Sequence, residues 1–119
     1  MRSINRAGVS VRPKQPYVDW THKAHPRGPQ LTVEEHAENT ICYALPAKYD
    51  GKAEEAIRKY WRLLFEDTLR GWLDDESLWP QKRTFKMFHE WFYVDWHPMV
   101  MDVVPGPLEY DDEPDEDES

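Results

Sequence analysis

Residues 52–73 read KAEEAIRKYWRLLFEDTLRGWL, and this stretch decides the fold. Its apolar residues recur every three or four positions, so they lie on one broad face of an α-helix; they are Ala53, Ala56, Ile57, Tyr60, Trp61, Leu64, Phe65, Leu69, Trp72 and Leu73. The other face pairs charges one turn apart: Glu54 with Arg58, Glu55 with Lys59, and Glu66 with Arg70. Such pairs stabilise a helix only slightly, so packing of the apolar face must supply most of the stability. The sequence predicts one long helix, capped by Asp50-Gly51.

A second amphipathic helix is predicted further along the chain. It begins near Pro80 or Thr84 and ends near Phe92, and its three phenylalanines follow helical spacing. Of the 16 aromatic residues in the chain, 11 fall between positions 60 and 96. We therefore expect an aromatic core built mainly by the C-terminal half.

Three short strands are predicted around these helices. Val9–Arg12 alternates apolar and polar residues, which is typical of a half-buried strand. Ile41–Leu45 is a short apolar run closed by a proline, which favours a central strand with Cys42 buried as a small hydrophobic residue. Alternation returns after the second helix, and it predicts the third strand around Met99–Val104.

Two short helical segments are predicted in the N-terminal part. Pro16 suits the first turn of a helix, because its missing N–H would be unbonded there in any case. Thr32 and Glu35 have the spacing of a capping box. Together with the other elements, this order predicts an α+β fold: a small single-domain sandwich over residues 6–108, with about three short strands and helices packed on one face.

The net charge of −8 is concentrated in the last eleven residues. Residues 109–119 hold eight of the 23 acidic side chains and no Lys or Arg, so the remaining 15 acidic residues balance the 15 basic ones. A block of like charges repels itself and stays solvated. We predict a disordered acidic tail, which either keeps the protein soluble or binds a basic partner.

Composition excludes several classes of protein. The longest apolar run, Ile41–Leu45, is far too short to span a membrane, and no secretory signal is visible. A single cysteine cannot form an intramolecular disulfide, so we expect a cytoplasmic protein. Nucleic-acid binding is not expected, because the longest basic cluster is Lys82-Arg83. Nucleotide-binding glycine motifs are absent, and no cofactor or metal is expected.

The stretch Asp75-Glu-Ser-Leu-Trp-Pro-Gln-Lys-Arg-Thr-Phe-Lys-Met-Phe-His-Glu-Trp-Phe92, followed by His97-Pro-Met-Val-Met-Asp102, resembles a set of small bacterial proteins with no assigned function. Their pattern is D-E-S-x-W-P…R-T…F-x-x-W-F…H-x-M-V-x-D, and Arg12–Trp20 resembles a further part of it. The resemblance covers most of residues 6–108 and implies a bacterial cytoplasmic origin. It implies no activity, cofactor or catalytic residue.

Chemistry would centre on Asp95 and His97, which are two positions apart and so share one face of a strand. A carboxylate beside an imidazole can orient it as a general base or share a metal with it. Asp102 and His89 are weaker catalytic candidates, since Asp102 is expected on the opposite face of the strand. A small metal-assisted or acid–base enzyme is one hypothesis, and an ordinary hydrogen-bonded pair is the other.

The leading functional hypothesis is a non-enzymatic module that binds another protein. Tryptophan and arginine are common anchors of protein interfaces. Trp79 and Trp96 lie outside the regular apolar faces, and Trp79 precedes Pro80, where its side chain is expected to project outward. We therefore predict a partner-binding patch of Trp79, Arg83 and Trp96, with an acidic-tail binder of basic partners as a further alternative.

Overall fold

The computed structural model describes residues 1–111. Within them the elements are β1 (Arg2–Ser3), β2 (Arg6–Pro13), α1 (Gln15–Ala24), α2 (Val33–Ala37), β3 (Ile41–Pro46), α3 (Ala53–Trp72), α4 (Phe85–Trp91), β4 (Phe92–His97) and β5 (Met101–Asp102). Short 3₁₀ turns cover Ala47–Tyr49 and Glu76–Leu78. The predicted α+β class is confirmed.

The main sheet has three antiparallel strands in the order β3-β2-β4. The prediction that Ile41–Leu45 is the central strand is wrong, because β3 pairs only with β2 and lies at the edge. Its apolar run is not a sign of burial on both faces, since Ile41 is exposed. Cys42 is also exposed, contrary to expectation, because it lies on the sheet face that points away from the helices.

The third strand begins earlier than predicted. The chain passes directly from α4 into β4 at Phe92, and Pro98 follows the last residue of that strand. Because proline has no N–H to donate, it cannot continue the ladder. Within the predicted Met99–Val104, only Met101–Asp102 forms a strand, and it pairs with β1 in a separate two-stranded sheet. This pairing joins residues 2–3, which precede the predicted domain start, to the C-terminal part.

The long helix α3 packs its apolar face onto the inner side of the main sheet and onto α4. Leu64, Phe65 and Leu69 are almost completely buried, as are Phe88 and Phe92. The rings of Phe65 and Phe92 meet edge to face at 5.4 Å between centroids, an arrangement favoured by the aromatic quadrupole. The core is rich in aromatic residues, as expected, and most of its buried aromatic side chains come from the C-terminal half. Most of its buried aliphatic residues precede position 60, so the expectation that the C-terminal half builds most of the core is wrong.

One of the two predicted helix caps is confirmed, and Thr84, one of the two predicted starts of the second helix, also acts as a cap. Thr32 and Glu35 form the reciprocal capping box at the start of α2, and the Thr84 hydroxyl accepts from the Met87 N–H at the start of α4. The predicted cap of α3 is wrong, because Lys52 occupies the cap position and no side chain bonds there. Gly51 instead provides a turn with φ of +74°, which suits glycine.

Two predictions concern the membrane and the tail. None of the helices in residues 1–111 combines the length and the apolar character that crossing a bilayer requires. Residues 109–111 of the acidic segment are exposed. The rest of the predicted disordered tail, residues 112–119, lies outside the described residues.

Candidate functional site

Asp95 and His97 share the outer face of β4, as predicted, but each bonds to a different residue of the neighbouring β2. The Asp95 Oδ2 accepts from the Arg12 Nε at 2.7 Å. The His97 Nε2 lies 3.0 Å from the Ser10 hydroxyl oxygen. Both contacts connect residues whose backbones are close in the antiparallel register. They link the strands across the open face of the sheet.

These contacts determine the protonation of the carboxylate. The hydrogen bond from Arg12 holds the pKa of Asp95 below its ordinary value, and the charge of His97 adds a smaller effect in the same direction. Asp95 is therefore ionised near neutral pH and does not serve as a proton donor there. Among residues 1–111 the Asp95 carboxylate makes no hydrogen bond to the His97 ring, so the arrangement lacks the orienting contact that a general base uses.

The other two catalytic candidates lie elsewhere. Asp102 on β5 forms an ion pair with Arg2 at 3.4 Å and accepts from the Val104 N–H. His89 lies on α4 with its ring 4.6 Å from that of Phe85, and desolvation lowers its pKa. The four candidates thus occupy three separate places. Within the described chain no group of three or more His, Cys, Asp or Glu side chains could hold a metal ion.

Trp79 does not project outward, contrary to the sequence-based expectation. Its side chain is 3% exposed, and its indole N–H donates to the Leu73 carbonyl oxygen at 2.9 Å. The ring lies beneath the guanidinium groups of Arg70 and Arg83, at 5.1 and 5.7 Å from its centroid. Trp79 therefore belongs to the core, because the loop before α4 folds back over the end of α3.

Trp96 lies apart from Trp79 and Arg83, and the contacts of Arg83 are within the protein. Arg83 bonds to Glu66 at 3.0 Å and to the Pro80 carbonyl oxygen at 2.7 Å, so it fixes the loop to α3. Glu66 is thereby engaged by Arg83, whereas the sequence had paired it with Arg70. Trp96 lines a separate depression, together with Phe85 and His89. The predicted patch of Trp79, Arg83 and Trp96 is therefore wrong, because Trp79 is buried, Arg83 packs over it and Trp96 lies elsewhere.

A different aromatic surface lies between α1 and the loop that precedes α4. It is a groove of about 520 Å³. We call it the tryptophan groove, and define it by Pro16, Trp20, Leu78, Trp79, Pro80 and Trp91. The Trp20 indole N–H donates to the Leu78 carbonyl oxygen at 2.9 Å, which holds one wall against the other. The Leu78 side chain is 45% exposed at the groove.

Comparisons with known proteins give no match: no protein-family model fits the chain, no curated protein is significantly similar in sequence, and no solved structure is significantly similar. The resemblance to small bacterial proteins therefore stays a prediction.

Sequence analysis missed two of the tryptophans that build this groove. The sequence analysis included neither Trp20 nor Trp91 in a candidate site. The two rings lie 6.3 Å apart although 71 positions separate them in the chain. The signal that the sequence offered for this groove was a proline close to a tryptophan in two separate segments. These are Pro16 and Trp20 in the N-terminal part, and Trp79 and Pro80 before the second helix.

Proposed function

We propose that the protein is a cytoplasmic, non-enzymatic interaction module that binds a proline-rich peptide segment in the tryptophan groove. The observation that carries the proposal is the free indole N–H of Trp91 beside an open apolar groove. The Trp91 nitrogen has no hydrogen-bond partner among residues 1–111, and it is not among the polar atoms sealed from solvent. It is therefore available to donate to a ligand.

The other tryptophans of the groove support an apolar ligand. The indole N–H groups of Trp20 and Trp79 are already bonded to backbone carbonyl oxygens. Trp20 therefore contributes apolar surface rather than a donor, and the donors that remain along the groove are the Trp91 indole N–H and the Lys23 ammonium. Proline-rich segments dock in aromatic-lined grooves of this kind. Their polyproline II conformation has no internal hydrogen bonds, so its carbonyl oxygens are open to an indole N–H.

The charge of the groove favours the same ligand. Asp19 and Lys23 are the only charged side chains along it within residues 1–111, and they have opposite signs. The groove therefore gives no net electrostatic attraction to a strongly acidic or basic segment. A neutral proline-rich segment does not depend on such attraction. An interaction module is better supported than an acid–base enzyme, because the Asp95 carboxylate accepts a hydrogen bond from Arg12 rather than orienting His97.

The test is a titration of the full chain with a short synthetic polyproline peptide, followed by tryptophan fluorescence and calorimetry. We expect saturable binding that Leu78→Glu weakens by about tenfold or more, because the variant places a charge on the apolar wall. The substitution changes an exposed side chain and leaves the carbonyl oxygen that Trp20 uses.

The matched control is Leu63→Glu. Leu63 is an exposed leucine of α3 that does not line the groove, so this variant should bind the peptide like the unmodified protein. Absence of saturable binding to the unmodified protein, or equal affinities of the two variants, would refute the proposal.

A further inference from the structure

The outer edge of β3 is an unpaired edge of the main sheet. β3 pairs with β2 on one side, and within residues 1–111 no backbone hydrogen bond joins its other side to any element. Ile41, Cys42 and Ala44 are all exposed along this strand. A row of unpaired N–H and C=O groups is a template on which the strand of another chain can pair.

The residues of β3 do not block such pairing. The strand has six residues, none of them is charged, and its proline, Pro46, is at the last position. Its register with β2 runs from Ile41 to Pro46 without a bulge. Native proteins commonly protect an edge with charged side chains, proline or a bulge. The opposite edge strand, β4, has a charged residue, since Asp95 lies within it, so strand addition is favoured at β3.

The charges on either side of β3 indicate the orientation of the added strand. The exposed charged residues just before β3 are acidic, whereas those just after it are mainly basic. They are Glu34, Glu35 and Glu38 before the strand, and Lys48, Asp50 and Lys52 after it. In an antiparallel pair of two β3 strands, the start of each strand lies beside the end of the other, so acidic and basic ends meet twice. A parallel pair would bring like charges together, which is unfavourable.

Two of these charges also indicate the register. Glu38 and Lys48 are equally far from Tyr43 in the sequence. An antiparallel pair centred on Tyr43 therefore places Glu38 of one copy nearest Lys48 of the other. Exposed ion pairs contribute little free energy, so these charges select the orientation and register, while backbone hydrogen bonds hold the two strands together.

We propose that a second copy of this chain pairs with the β3 edge, and that the two β3 strands run antiparallel about a two-fold axis at Tyr43. The two three-stranded sheets then form one continuous sheet. Because both copies use the same edge, the association closes as a dimer. No residue of β3 lines the tryptophan groove, so this inference does not depend on the function proposed for that groove.

The first test is sedimentation of the full chain at protein concentrations from about 1 µM to 1 mM. A pair of six-residue strands is a small interface, so we expect reversible dimerisation with a dissociation constant in the micromolar range. Salt at about 0.15 M screens the repulsion between the acidic C-terminal segments of the two copies.

Two lysine substitutions decide whether the β3 edge is responsible. Ile41→Lys should weaken dimerisation by about tenfold or more, because lysine on an edge strand opposes pairing. The Ile41 side chain is 45% exposed, so the variant should fold. The matched control is Val103→Lys, which adds the same charge at an exposed side chain outside β3. This control should dimerise like the unmodified protein.

The second test uses Cys42, the only cysteine of the chain, to check the register. In the proposed pair, Cys42 lies opposite Ala44 of the other copy. The two Cys42 residues are then diagonal neighbours, about 7–8 Å apart on one face of the sheet. This separation is too long for a direct disulfide and suits a short bismaleimide. We expect a cross-linked dimer from the unmodified protein and from Val103→Lys, and much less from Ile41→Lys.

Three results would overturn the proposal. They are a chain that stays monomeric over the whole concentration range, equal dimerisation of Ile41→Lys and Val103→Lys, and a dimer that the bismaleimide does not cross-link. Should Ile41→Lys fail to fold, Ala44→Lys takes its place in the sedimentation test, since Ala44 is exposed on the same strand.

Discussion

At the scale of single residues, Trp79 has a structural role that its position in the sequence does not reveal. It is buried beneath the guanidinium groups of Arg70 and Arg83 and bonded to the Leu73 carbonyl oxygen after the end of α3. We predict that Trp79→Ala lowers the free energy of unfolding by about 3–5 kcal/mol, as other buried aromatic truncations do. Urea denaturation would measure this. Its neighbour Leu78 is the control, since truncation of that exposed side chain should cost far less; an equal loss would contradict the burial of Trp79.

At the scale of elements, α3 offers two adjacent leucines with opposite environments. Leu64 is 2% exposed in the core and Leu63 is 59% exposed. Leu64→Ala should lower the free energy of unfolding by about 2–5 kcal/mol, because it leaves a cavity among packed side chains. Leu63→Ala makes the same change in helix propensity, and its free energy of unfolding should stay within about 0.5 kcal/mol of that of the unmodified protein. Chemical denaturation of both variants checks the orientation of the helix, and similar losses would show that the assigned apolar face is wrong.

At the scale of the whole molecule, charge is divided between a neutral body and an acidic C-terminal segment. Removal of residues 109–119 takes away eight carboxylates and no basic residue, so the formal net charge changes from −8 to zero. We predict lower solubility, because near-zero net charge promotes association, with a thermal midpoint almost unchanged.

The same truncation tests the alternative in which the acidic segment binds basic partners. The experiment is a titration with a polylysine peptide at low and high salt. Affinity that is lost on truncation and falls steeply with salt would support that role, because exposed charges are screened within about 8 Å at physiological ionic strength. An affinity for polylysine that changes neither on truncation nor with salt would exclude a binding role for the acidic segment. The polyproline peptide should bind the truncated and full chains alike.

Local patterns determined much of this fold. The spacing of apolar residues between positions 52 and 73 predicted α3 to within one residue at each end, because a helix repeats its geometry along the chain and needs only one apolar face. The capping box was predicted equally well, since its two partners, Thr32 and Glu35, are only three residues apart in the sequence. The α+β class followed from the order of such elements.

Only the tertiary structure decided which surfaces the side chains share. Strand order could not be derived, because the apolar run of β3 is compatible with either an edge or a central strand. The tryptophan groove joins Trp20 to Trp91, and Tyr17 and Trp72 line one cavity, across separations that no local pattern encodes. The physical reason is one of range: helix and turn energies depend on residues a few positions apart, whereas burial, hydrogen-bond partners and cavities depend on which distant segments pack together.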